Sequence, residues 1–271
     1  MLLVASGGLV LYRLLPGNVR VQGFSSLPQS PQASPSTSSF ASALQGRFDP
    51  ANESSILLAM EFVKKNPSDA NVLEFIKYST DWLEERANSI GDTNLASGNV
   101  CLEYVKKHPQ FHLSSGTLDD VCTLEFERGF FSKSFGDIVS PACVAYLKIQ
   151  DRYDSADFDI GQIKDVVVLA ERWLNAFKDA EVLKPKVDVI YDETIDRLFH
   201  GVHDGMMVLS DSEGRLLPEV LQTYEQLAKE QDGQLSGNVA KKIVAMAQKN
   251  EGRLSPEVAD AVDQILKKEH R

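Results

Sequence analysis

Glu213-Gly214-Arg215-Leu216, Asp232-Gly233-Gln234-Leu235 and Glu251-Gly252-Arg253-Leu254 follow one another at steps of 19 residues, and their reading decides the fold. Val220, Val239 and Val258 keep the same step, as do Leu227, Met246 and Ile265. A longer period lies upstream. Ala59-Met60-Glu61-Phe62-Val63-Lys64 returns 42 residues later as Cys101-Leu102-Glu103-Tyr104-Val105-Lys106, and again, more faintly, as Cys143-Val144-Ala145-Tyr146-Leu147-Lys148. A unit this short cannot bury its own apolar face, so such periods mean stacked repeats. The apolar sets recur at three to four residues, the spacing of one helical face, and none alternates over a strand length. The expected fold is all-α, with helical-hairpin repeats stacked as an α-solenoid. The domain is expected over 49–271. Repeats of about 42 residues fill 49–200, and three 19-residue helical units fill 213–269.

Local signals set the expected elements. Asp49-Pro50 reads as a capping carboxylate followed by first-turn proline. Lys64-Lys65 and Pro67 close that helix. The second helix runs from Ser68 or Asp69 to Gly91. A second pair is expected over 93–107, stopped by Pro109, and over 117–130. A third is expected over 140–149 and 158–177, and Val187, Ile190, Ile195, Leu198 and Phe199 continue the spacing to a break at 201–205. Gly214, Gly233 and Gly252 suit positive φ at helix ends. Trp82 and Trp173, with Phe126, Phe130 and Phe131, fall in second helices and are expected in the core between repeats. Cys101 and Cys143 share a repeat position with Ala59, which marks small, buried packing sites holding thiols.

Charge divides the chain. Residues 1–48 contain Arg13, Arg20 and Arg47 and no acidic residue. Taking those three from 28 leaves 25 basic against 39 acidic side chains in the rest, a net −14. Such a body is repelled by phosphate backbones, so no nucleic-acid partner is expected, while a basic protein partner is compatible with it. Leu2 to Tyr12 is an apolar run of 11 residues, about half of the ~20 that span a bilayer. Ser25 to Ser42 holds eight Ser and three Pro and cannot supply a core. An arginine-bearing, acid-free leader of this kind reads as a targeting segment over 1–48, with a Ser/Pro-rich linker at its end. The expected destination is a mitochondrion or plastid. The alternatives are a secretory signal or anchor, with membrane contact only through residues 1–15, and a plain disordered tail.

Phe62-Val63-Lys64-Lys65-Asn66-Pro67-Ser68-Asp69-Ala70 resembles the junction between tetratricopeptide repeats. Tyr104-Val105-Lys106-Lys107-His108-Pro109 is similar but lacks the Ala. The period of 42 departs from that family's 34 and suits HEAT or armadillo-like hairpins, so the resemblance is to α-solenoids in general. The Gly-x-Leu-Ser-Pro-Glu stretch at Gly252 also resembles the second half of an EF-hand loop. The carboxylates such a loop needs are missing, with Val258 and Val220 at the bidentate position, so calcium is not expected.

Candidate chemistry is sparse. Glu193, Asp196, His200 and His203 fall at i, i+3, i+7 and i+10, where one helical face collects carboxylate and imidazole donors fit for a metal. The alternative is a solvated face. Asp151, Asp154, Asp157 and Asp159 make an acidic connection between helices. No phosphate-binding Gly loop, nucleophile elbow or His-Glu-x-x-His is present, so no catalytic residue and no cofactor is expected. The expected function is a non-enzymatic interaction or scaffold protein, such as an organellar accessory subunit or assembly factor with a protein partner. The alternatives are a secreted or membrane-tethered helical protein and an all-helical metal-dependent enzyme using the Glu193–His203 face.

Overall fold

The computed structural model describes Phe40, Asp49 and residues 51–91, 98–118, 121–154, 156, 159–201, 209–253 and 264. The chain is mostly helical, with one two-stranded sheet among the described residues, and it divides into two compact units, Met1–Val139 and Ser140–Arg271.

In the first unit, α1 (Ser55–Lys65) and α2 (Asp69–Gly91) form a hairpin. Ile56, Ala59 and Val63 are buried on α1 at helical spacing, and Val72, Phe75 and Trp82 on α2. Asn66 ends α1 ahead of Pro67, and Ser68 Oγ accepts the Asn71 N–H at 3.1 Å to start α2. The first helix begins at Ser55 rather than at Asp49. Asp49 Oδ1 accepts the Ala51 N–H at 2.9 Å and Asn52 Oδ1 accepts that of Ser54 at 3.0 Å, so two local side-chain turns precede the helix.

The stretch expected to form a second helical pair, 93–130, departs from expectation. α3 (Gly98–Lys107) ends before Pro109, and a short 3-10 turn covers Pro109–Phe111. The chain then forms β1 (Leu113–Leu118) and β2 (Val121–Phe126), where a helix over 117–130 was expected. The strands pair antiparallel from Leu113 opposite Phe126 to Leu118 opposite Val121. His112 at φ 53° redirects the chain ahead of β1. Leu113 and Leu124 are buried while Ser114 and Glu125 are exposed, the two-residue alternation of a half-buried strand. Val121 and Thr123 add β-branched side chains that lose χ1 freedom in a helix. A six-residue helix, α4 (Phe130–Phe135), follows, and the Phe126 and Phe130 rings stack at 4.3 Å.

That hairpin also changes the cysteines. Cys101 is buried, as is Cys143, in agreement with their equivalence to Ala59. Cys101, however, is disulfide-bonded and not the expected thiol, while Cys143 is a buried thiol. The repeat position fixes only that the sulfur faces inward. What it meets depends on the neighbouring element, and α3 packs on β1 and on β2.

The second unit contains α5 (Pro141–Tyr153), α6 (Ile160–Ala176), α7 (Lys184–His200), α8 (Pro218–Glu230) and α9 (Leu235–Lys249). Ser140 Oγ caps α5 through the Cys143 N–H at 3.1 Å, and Asp159 Oδ1 caps α6 through that of Gln162 at 2.8 Å. α6 is the central element. Its Ile163, Val166, Val167, Ala170 and Trp173 are buried, and it packs on α5, α7 and α8.

Both helical hairpins share one tie. Trp82 Nε1 on α2 donates to the Asn52 carbonyl, just ahead of α1, at 3.3 Å. Trp173 Nε1 on α6 donates to the Ala142 carbonyl, in the first turn of α5, at 2.8 Å. Both indoles are buried, as expected for core positions.

The 19-residue step has a different meaning in the structure from three equal units. The loops at Gly214 and Gly252 pair with each other through an antiparallel bridge of Arg215 with Arg253, and the Leu216 N–H donates to the Gly252 carbonyl at 2.9 Å. Gly233 lies instead in the turn joining α8 to α9. All three glycines have the expected positive φ, between 76° and 85°. Val220 and Val239 are buried, whereas Leu235 is only half-buried. Leu254, Val258 and Ile265 lie outside the described residues.

Trp173→Phe keeps most of the apolar contact and removes the N–H, so it should destabilise the protein by about 0.5–1.5 kcal/mol, the net worth of one hydrogen bond, in denaturant unfolding. Alkylation followed by mass mapping should find Cys143 protected until the protein unfolds and Cys101 protected until it is both unfolded and reduced.

Candidate functional site

The chemistry-bearing side chains gather at three carboxylates, each of which joins separate elements within one unit. The first is Glu53, just ahead of α1. Its Oε1 accepts the Tyr104 hydroxyl at 2.8 Å and lies 3.2 Å from His108 Nε2. The other ring nitrogen of His108, Nδ1, is 2.8 Å from the Tyr104 carbonyl, and the two rings lie 4.3 Å apart. Arg86 on α2 completes the group. Its Nη2 donates to the Ala51 carbonyl at 2.6 Å, and its Nε is buried with no hydrogen-bond partner among the described residues. Burial, followed by the hydrogen bond to Glu53, pushes the Tyr104 phenol far above its ordinary value, so it remains a donor. Pro109 explains part of this placement, since it ends α3 and leaves His108 at the helix terminus, turned onto Phe111 in a stack at 5.6 Å.

The second carboxylate is Glu171 on α6, 5% exposed. It accepts the Tyr191 hydroxyl at 2.7 Å, the Ser236 N–H at 2.8 Å and the Ser236 hydroxyl at 2.6 Å. Ser236 lies in the first turn of α9, where backbone N–H groups have no partner in their own helix and the helix dipole favours negative charge. Gln234 at the N-cap makes no side-chain cap bond, and Glu171 supplies one from another helix. The charge is therefore buried with its hydrogen bonds made, in line with the rule for buried polar groups. A shallow depression beside it is lined by Arg172, Asn175, Gln231 and Gln234 and crossed by an Asn175–Gln234 hydrogen bond at 2.9 Å.

The third is Glu193 on α7, one of the four residues whose spacing suggested a metal. Its Oε2 accepts the hydroxyl of Tyr153 from the end of α5, and the Arg197 guanidinium lies 5.8 Å from the centre of the Tyr153 ring. Burial first, and then the bond to Glu193, raise the Tyr153 phenol far above its ordinary value. Asp196 and His200 pair with each other, Oδ1 to Nδ1, at 2.7 Å, and the Asp196 side chain is largely in solvent. The structure thus brings Asp196 to His200 and turns Glu193 to Tyr153. His203 lies outside the described residues. Among the described residues no three His, Cys, Asp or Glu side chains converge as a metal site. Of the acidic connection after α5, Asp159 caps α6 and Asp154 accepts from Gln150 Nε2 at 2.8 Å, while Asp157 lies outside the described residues.

Glu53 and Glu171 were not singled out from sequence. Glu171 stands one residue from Arg172 in a helix whose neighbours at 167, 170 and 173 are apolar, so its place on the buried face at 163, 167 and 170 was the available signal. Glu53 offered none, because its partners stand 51 and 55 positions away in the chain.

In the paired loops, Asp211 Oδ1 accepts the backbone N–H groups of Glu213 at 2.8 Å and Arg215 at 2.9 Å. Glu213 Oε2 lies 3.0 Å from Arg215 Nη2 and 3.9 Å from Arg253 Nη2. The oxygens of these loops are thus engaged with backbone donors and guanidinium groups.

No protein-family model, curated protein or solved structure matches the chain.

Glu171→Ala removes the carboxylate that the Tyr191 hydroxyl and both Ser236 donors bond to in the buried region, and should cost about 2–4 kcal/mol in denaturant unfolding, more than the change at exposed Asp196. The backbone donors of Arg215 and Glu213 hold the Asp211 carboxyl below its ordinary value. Its folded pKa is depressed, so its contribution to stability is present above the unfolded value and lost as pH falls through the folded one. A carboxyl-detected NMR titration should therefore place the Asp211 midpoint below about 3.9, the aspartate reference, and Asp211→Asn should remove that part of the acid sensitivity.

Proposed function

We propose that this chain is a non-enzymatic interaction or scaffold protein, an accessory subunit or assembly factor that holds a protein partner against helical hairpins of the α-solenoid kind. The observation that carries the reading is where the large apolar side chains stand. Leu58 on α1, Val100 and Leu102 on α3, Val182 just ahead of α7 and Val189 on α7 are exposed, the last two at 55% each. Tandem helical hairpins offer such residues to a partner helix or peptide. The three carboxylates support the same reading from the other side. Glu53, Glu171 and Glu193 each tie helix to helix or to its flanking turn, which is architectural work. The net −14 of residues 49–271 favours a basic partner surface, whose binding would weaken with salt because exposed charges are screened beyond about 10 Å at 0.1 M.

The leader over 1–48 supports an organellar address. The disulfide at Cys101 favours an oxidising compartment, and so gives the secretory or tethered alternative a specific observation in its support.

The test is capture from the native source with the wild type and with two charged variants, Leu58→Glu/Leu102→Glu and Val182→Glu/Val189→Glu, alongside metal content. One variant should keep the wild-type melting temperature and lose the partner. Retention of every partner by both variants overturns the reading, as does stoichiometric metal that His200→Ala removes.

A further inference from the structure

Phe40 stands in the Ser- and Pro-rich leader, yet its side chain belongs to the core of the first unit. It is 2% exposed. Its ring meets Phe62 of α1 edge-on at 5.8 Å between centroids, Phe75 of α2 at 6.5 Å and Tyr78 of α2 at 6.1 Å. Aromatic pairs in this range prefer such edge contacts. The backbone is held as well. The Phe40 N–H donates to Asn71 Oδ1 at 3.2 Å. Asn71 is itself buried, and its Nδ2 donates to the Asn66 carbonyl, at the C-cap of α1, at 2.8 Å. One end of that amide is thus fixed to the α1–α2 corner and the other receives the incoming chain. Tyr78 is fixed in turn, its hydroxyl donating to Ser55 Oγ at 2.7 Å. Three rings and one amide, all on α1 and α2, form a socket for a single aromatic residue.

The socket limits where a leader can be cut. We propose that the mature chain keeps Phe40, that the peptide bond hydrolysed on removal of the targeting leader lies upstream of it, and that Phe40 seats the new N-terminal segment on the α1–α2 hairpin. The cut adds water across one peptide bond, leaving a carboxylate on the released leader and an amine on the mature chain. Composition alone sets the boundary near 48, where the acidic body begins. A cut there would empty a pocket lined by three rings and leave the buried Asn71 oxygen without its donor, two changes that each destabilise a core. Arg13 and Arg20, the two basic residues ahead of Phe40, leave with the leader, and Arg47 stays. The position of the cut rests on the targeting reading of residues 1–48. The anchor rests on the packing alone.

Two measurements separate these. N-terminal sequencing of the protein from its native source should give a start within residues 21–40, since Arg13 and Arg20 leave with the leader. A start after Phe40 overturns the proposal, and a chain that keeps Arg20 overturns the targeting reading and the cut with it. The anchor is tested on the recombinant full chain with Phe40→Ala, Phe40→Leu and Asn71→Ala. Phe40→Ala should lower the melting temperature by about 5 °C or more, with Phe40→Leu in between. In limited proteolysis the first cuts in the wild type should fall before residue 40, and in Phe40→Ala they should extend into 41–48. An unchanged melting temperature and cleavage pattern for Phe40→Ala overturns the anchor; if that variant does not fold, Phe40→Leu and Asn71→Ala carry the same comparison.

Discussion

An indole N–H buried between two packed helices must find an acceptor or cost the protein about 1–3 kcal/mol, and a backbone carbonyl that already accepts within its helix or turn still offers a second lone pair. Trp82 and Trp173 meet this constraint in the same way, by reaching the carbonyl at or just before the first turn of the preceding helix. The tie sets how far along one helix the other can slide. In the first unit it fixes Asn52, and with it the turn that presents Glu53 to Tyr104 and His108. In the second it fixes the start of α5 against α6, the helix that also carries Glu171 to the first turn of α9. The rest of each unit's polar network is built from these two registers.

The three carboxylates, Glu171 buried and Glu53 and Glu193 half-buried, follow a common logic. A charge taken out of water is tolerated when its lone pairs are filled by donors that need it. Glu171 does this by serving an N-terminus that its own residues leave uncapped, so one side chain answers two desolvation problems. Glu193 and Glu53 do it with tyrosine hydroxyls, whose protons are held more tightly in return. Spacing along α7 could place Glu193 near Asp196 and His200. It could not show that Tyr153, 40 positions earlier, had the stronger claim on that carboxylate.

The β-hairpin at 113–126 shows how likeness between two stretches of sequence can coexist with different structures beside them. Cys101-Leu102-Glu103-Tyr104-Val105-Lys106 repeats the earlier helix and is helical, since the apolar spacing that defines it is local. Beyond Pro109 the repeat no longer governs, because Leu113, Leu124 and Phe126 are placed by alternation across two paired strands. The same switch decides the chemistry of Cys101, whose inward direction comes from its helix and whose bond comes from what lies opposite.

Sequence alone determined what depends on near neighbours in the chain: the helical character of 55–65, 69–91, 98–107, 141–153, 160–176, 184–200, 218–230 and 235–249, the stops before Pro67 and Pro109, the positive φ of Gly214, Gly233 and Gly252, and the inward faces of Ala59, Cys101, Cys143, Trp82 and Trp173. Each is fixed by rotamer, hydrogen-bond or periodicity constraints within a few residues. Tertiary structure decided the rest. The pairing of Arg215 with Arg253, the capture of Ser236 by Glu171 and the seating of Phe40 between Phe62, Phe75 and Tyr78 join positions from 22 to 65 residues apart. Such contacts depend on how whole helices settle against one another, and no local spacing encodes which of several compatible partners a side chain will meet.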